Sequence, residues 1–120
     1  MRFGEFFRKR RMALGSTLRK FCLESGLDPG NISRLERGLL SPPQDREKLE
    51  SYARLLKIEK GSADWYEFFD LAAAETGRIP DEIMQDRELA GKLPLLFRTL
   101  RGDKVPDEKL DQLVRRIREE

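Results

Sequence analysis

Apolar residues recur along this chain at spacings of three and four, the period of helices with one buried face. Phe3, Phe7 and Leu14 lie near one stripe, and Gly15 ends that segment. Ser16 or Thr17 caps a second helix, which carries Leu18, Phe21 and Cys22 and stops at Gly26. Asp28 caps a third helix that opens with Pro29, turns Ile32 and Leu35 inward and ends at Gly38. Leu39 to Pro43 reads as a loop with a double proline, and a fourth helix follows with Leu49, Tyr52, Ala53 and Leu56. These helices close a unit of about 60 residues, a size that can fold alone.

Gly61 and Ser62 mark a boundary, so the pattern divides the chain into residues 1–60 and a helical extension over 61–120. The next helix carries Trp65, Phe68, Phe69, Ala72 and Ala73 at helical spacing and ends at Gly77. Pro80 opens a short turn of helix with Ile83 and Met84, and Leu89 and Leu93 belong to another short helix. Pro94 lacks the N–H that a helix interior needs, so the pattern breaks there and restarts with Leu96, Phe97 and Leu100 before Gly102. A last helix begins near Pro106, with Asp107 and Glu108 first, Leu110, Leu113, Val114 and Ile117 as its stripe, and Arg115, Arg116 and Arg118 at its end. That charge order complements the helix dipole. No strand pattern or repeat is present, and the expected class is all-α.

Composition narrows the chemistry. The chain has 120 residues, 38% of them charged and 38% hydrophobic, which suits helices with heavily charged surfaces. There is no histidine, so the commonest general base and the usual zinc ligands are missing, and neither an enzyme, a metal nor a cofactor is expected. The single cysteine, Cys22, excludes an internal disulfide and reads as core, with a reducing, cytoplasmic setting as the expectation. The apolar runs are too short to span a membrane, and no hydrophobic signal region leads the chain. The net charge of +2 hides an asymmetry: residues 1–40 hold nine Lys/Arg against four Asp/Glu, and residues 61–90 hold two against eight. A basic front suits a polyanion, and the acidic middle suits a different task.

The stretch from Thr17 to Gly38, TLRKFCLESGLDPGNISRLERG, carries the sharpest signal. A small residue at Cys22, a turn glycine at Gly26 and aliphatics at Ile32 and Leu35 have the offsets of two short helices crossing closely through a tight turn. The stretch resembles the helix-turn-helix of Cro and phage repressors, the Xre family. Ile32–Gly38, ISRLERG, is close to that family's ending of the recognition helix, and Cys22 stands where the family usually has alanine. The likeness covers Phe3 to Ile58. It implies a lambda-repressor-like domain of four to five helices that binds double-stranded DNA as a homodimer. The chain departs from the family at Leu18, where glutamine is common, and at Pro29 and Gly30, which cannot read bases through side-chain hydrogen bonds.

Specificity then comes from DNA shape or from direct readout by Arg34, which can pair bidentately with guanine or alternatively touch only phosphate, and by Asn31 and Ser33. Thr17 offers a hydroxyl and a helix N-terminus to phosphate, with a role as cap alone the equal alternative; Ser41 lies in the following loop, and Arg37, Arg8, Arg19 and Lys20 add sequence-independent attraction. The resemblance further implies an ion pair between Arg11 and Glu36 that fixes the recognition helix on the first helix. Trp65, Phe68 and Phe69, with Leu96 and Phe97, are candidates for a dimer or partner interface, or alternatively cover the fourth helix. The tail LPLLFRTLRGDKVPDEKLDQLVRRIREE resembles the ends of compact antitoxin-type regulators, which implies a toxin or regulatory protease from a neighbouring gene as a further partner. The expectation is an autorepressor; the rival reading is a protein-interaction module that binds and neutralises a protein partner without reading DNA.

Overall fold

The computed structural model of the protein describes residues 1–102 and positions 108, 111, 112, 114 and 115. Among the described residues there are seven helices and no strand: α1 (Phe3–Ala13), α2 (Leu18–Ser25), α3 (Pro29–Glu36), α4 (Arg46–Leu55), α5 (Ala63–Glu75), α6 (Asp81–Gln85) and α7 (Arg87–Arg101). The chain divides into two compact units, Met1–Arg78 and Ile79–Glu120. Of the last expected helix, Glu108, Asp111, Gln112, Val114 and Arg115 are helical, while Pro106, Asp107, Leu110, Leu113, Arg116, Ile117 and Arg118 lie outside the described residues.

The first unit is built from helices whose starts are set by short polar side chains. Thr17, Asp28, Asp45 and Ser62 each accept a backbone N–H at the start of α2, α3, α4 and α5. Each bond satisfies a donor that the helix cannot. Helix α1 has no such cap of its own. Glu75, at the end of α5, supplies one from 72 residues away: its Oε1 accepts Phe3 N at 3.2 Å and Arg2 Nε at 2.9 Å.

The core of this unit is aromatic. Phe3, Phe6 and Phe7 of α1 are buried with Phe21, Tyr52, Trp65, Phe68 and Phe69. Phe7 meets Phe21 and Tyr52 edge-on, and Phe3 lies 4.9 Å from Phe68 between ring centres. Such tilted and edge-on pairs avoid stacking like-charged ring faces. The Arg46 guanidinium sits 3.9 Å above the Phe69 ring, a cation–π contact that closes the core at the α4–α5 seam.

Two sequence expectations change here. The boundary read between residues 60 and 61 moves to Arg78, because α5 completes the core instead of leaving it. Gly61 and Ser62 form a tight turn within the unit; Arg10, anchored to Asp64 Oδ2 at 3.0 Å and to the Lys57 carbonyl at 3.1 Å, ties α1 across that turn. Trp65, Phe68 and Phe69 are accordingly buried inside the unit and are not an exposed interface. Phe68 supplies the ring against which Phe3 and Phe6 of α1 pack.

In the second unit, α7 runs unbroken through Pro94, where the pattern predicted a break. Asp86 starts this helix with bonds from the Glu88 and Leu89 amides. Pro94 lies on its exposed side, so water can take the carbonyl that the proline leaves without a donor. Leu96 is partly exposed and Phe97 exposed on this helix.

Candidate nucleic-acid interface

Helices α2 and α3, of eight residues each, meet through the turn Gly26–Leu27–Asp28. Gly26 has φ of 70°, a left-handed conformation that costs a side chain about 1 kcal/mol or more. The Leu27 amide then donates to the Cys22 carbonyl at 2.9 Å, which seals the end of α2. Cys22 is buried in one cluster with Ile32 and Leu35. Burial raises its thiol pKa, and the nearby Glu36 carboxylate raises it further, so the thiol stays protonated and unreactive.

The inner side of α3 is pinned to α1. Arg11 Nε donates to Glu36 Oε2 at 2.7 Å and Nη2 to Oε1 at 2.9 Å, a bidentate pair with both residues buried. A third donor, Nη1, holds the Ser16 carbonyl at 2.9 Å, directly before the Thr17 cap. One guanidinium thus joins α1, the start of α2 and the end of α3. The Glu36 hydrogen bond raises the Arg11 pKa against the opposing effect of burial, so the residue remains charged. Gly4 brings α1 and α3 together: a Cβ there would run into the Leu35 carbonyl oxygen and come within 2.8 Å of the Glu36 carbonyl oxygen.

The outer side of α3 is polar and open. Asn31, Arg34 and Arg37 are exposed and Ser33 is partly so. Arg34 Nη2 donates to Asn31 Oδ1 at 2.8 Å, and its Nε reaches the Gly30 carbonyl at 3.4 Å. Arg37 Nε donates to the Ser33 carbonyl at 3.3 Å. These are surface bonds on the helix itself, and both guanidiniums keep further donors for a ligand. Ser41 is exposed in the loop beyond.

The two helix starts differ electrically. Thr17 Oγ1 accepts the Lys20 amide at 3.2 Å, leaving α2 an uncharged cap and a positive dipole end. Asp28 Oδ2 accepts the Asn31 amide at 3.0 Å, placing a carboxylate at the start of α3. A phosphate is therefore favoured at α2 and repelled at α3. Next to the α2 start, a cleft of about 580 Å³ is lined by Arg2, Arg8, Arg11 and Arg37, by the carboxylates of Glu5 and Glu36, and by Ser33 and Leu18. Arg2 had no signal in the sequence, since its place depends on Glu75.

No family model matches this chain, and comparison with curated proteins and with solved structures returned no match. The site therefore stands on its own geometry. The fold brings Ser33 and Arg37 to one cleft with Leu18 and brings Arg11 to Glu36, while Arg34 and Asn31 meet along α3 and Thr17 caps α2. Among the described residues, no group of three or more metal-ligating side chains is placed to hold an ion, and no helix is long and apolar enough to cross a membrane.

Proposed function

We propose that this protein is a sequence-specific, dimeric DNA-binding regulator of the Xre type, an autorepressor in the cytoplasm, with a lambda-repressor-like domain in its first unit. One observation carries the reading. Helix α3 is locked from behind by a buried bidentate ion pair while its Asn31, Ser33, Arg34 and Arg37 face outward. A rigid helix presenting a bidentate donor is what base reading in a major groove requires. Arg34 reads guanine, and Thr17 with the start of α2 holds a phosphate. Arg2, Arg8 and Arg37 add attraction along the backbone.

A gel shift against the DNA upstream of the chain's own coding sequence, over a salt series, tests this reading. Affinity falls steeply with salt as phosphate contacts are released. Arg34→Ala erodes discrimination between sequences more than it weakens binding overall. A flat salt response with no shift of that DNA sinks the proposal. The rival, a protein-interaction module, draws support from Leu23, which is 82% exposed on α2. An antitoxin role would add a toxin or regulatory protease as partner, favoured by the acidic residues 61–90. Binding of the neighbouring gene's product to the purified chain tests that role, and failure to bind removes it.

A further inference from the structure

Arg2 stands just before α1, and the fold fixes where its guanidinium lies. Its Nε donates to Glu75 Oε1 at 2.9 Å. Its Nη1 and Cζ lie 3.7 and 3.9 Å from where a Cβ on Gly38 would stand, so the planar group rests beside the turn that follows α3. There it lines the cleft of about 580 Å³ together with Arg8 and Arg37. Arg11 and Glu36 in the cleft wall neutralise each other, which leaves three guanidiniums against the one carboxylate of Glu5. That balance favours a phosphate, and arginine's planar fork matches its oxygens.

An arginine whose side chain is 67% exposed ordinarily samples many rotamers, and ordering it on a ligand costs side-chain entropy. Here the fold does the ordering. Glu75 is the last residue of α5, and its side chain is only 19% exposed. The same Glu75 oxygen accepts the Phe3 amide at 3.2 Å, which aligns the carboxylate on the start of α1. The end of α5 is itself tied down. The Arg78 amide donates to the Ala73 carbonyl at 2.8 Å past the left-handed Gly77, and Arg78 Nη1 donates to the Gln44 carbonyl at 3.1 Å. Arg2 thus spends Nε on Glu75, and its two Nη groups keep donors for a ligand in the cleft.

We infer that Glu75 is a positioning residue: it holds the Arg2 guanidinium at the cleft beside the end of α3, where Arg2 binds a backbone phosphate of DNA. This rests on the reading of the first unit as DNA-binding. It makes one phosphate contact depend on the end of α5, although no residue lining the cleft belongs to that helix. Support from a rigid neighbour is what turns a surface charge into a placed contact.

The full chain is titrated into labelled DNA from upstream of its own coding sequence, by fluorescence anisotropy over a salt series, with thermal melts to check each variant's fold. Arg2→Ala weakens binding roughly tenfold and lowers the salt slope by about one. Glu75→Ala weakens it roughly threefold by freeing Arg2. Glu75→Gln binds as tightly as the parent or more so, because its amide oxygen accepts both N–H groups and a negative charge near the polyanion is gone. In an Arg2→Ala background, Glu75→Ala causes no further loss. A carboxylate that merely neutralises Arg2 would give tighter binding in both Glu75 variants, and that result overturns the inference. So does a Glu75→Ala loss that persists undiminished without Arg2, or an Arg2→Ala salt slope equal to the parent's. Arg2→Lys covers the case in which Glu75→Ala fails to fold. It keeps the charge but lacks the fork that joins Glu75 and a phosphate, so it binds roughly threefold more weakly or worse, and parent-level binding overturns the inference. A parent chain that binds no DNA removes the regulator reading and this inference together, whereas a parent that binds DNA with Glu75→Ala indifferent removes this inference alone.

Discussion

Replacing Glu36 by alanine tests the clamp behind α3. The structure sets the magnitude. Arg11 is 7% exposed, Glu36 is 8% exposed, and two short hydrogen bonds join them. Removing one member of such a pair leaves a buried charge without compensation, at a cost of about 3–5 kcal/mol. Arg11 cannot escape that cost by losing its proton at ordinary pH. For a unit of this size each kcal/mol moves Tm by roughly 5 °C, so Glu36→Ala lowers it by roughly 15–25 °C. The double variant Arg11→Met, Glu36→Leu places apolar groups of similar bulk there and recovers most of the loss, because it removes both desolvation costs. It does not restore the bond from Arg11 to the Ser16 carbonyl, so the start of α2 stays loosened and DNA binding stays weaker than in the parent. Thermal melts give the stability cycle, and a gel shift gives the affinities. A Glu36→Ala cost below about 1 kcal/mol, the scale of an exposed pair, would refute the argument, as would a double variant with the summed loss of the singles.

Three further outcomes follow from single sites. Gly4→Ala forces α1 away from the carbonyls of Leu35 and Glu36 and destabilises the first unit by about 1–3 kcal/mol in denaturant melts; an unchanged midpoint would mean that the helices are not in contact there. Lys57 holds a left-handed φ of 56° while its amide and that of Ile58 close the end of α4, so Lys57→Gly raises stability by roughly 0.5–1 kcal/mol, and a lowered Tm counts against the strain argument. Cys22 has a raised thiol pKa in the fold, so the unfolded chain loses this proton first. Its contribution is intact below about pH 8.5 and is lost as pH rises beyond that. Cys22→Ala therefore shows a shallower alkaline fall in Tm than the parent, and identical slopes would refute the shift.

The helices, most of their ends and the composition of the α2–α3 turn are local matters, and the sequence by itself determined them. Thr17, Asp28, Asp45 and Ser62 cap helices because a short polar side chain reaches a nearby amide in any context. The Arg34–Asn31 bond is local in the same way, spanning one helical turn. What lies across the fold was not legible. Trp65, Phe68 and Phe69 form an apolar stripe that suits a core or an interface equally, and only the position of α1 decides that they are core. Gly61 and Ser62 signal a turn without saying whether the chain leaves the unit or folds back on it. The cap of α1 comes from Glu75, and the contact at Gly4 comes from α3, so neither leaves a mark near its own position. Pro94 signals a break that α7 does not make, because the penalty for proline depends on which side of the helix faces water. Helix periodicity acts over a few residues, whereas burial depends on which distant faces meet, and tertiary structure alone supplies that.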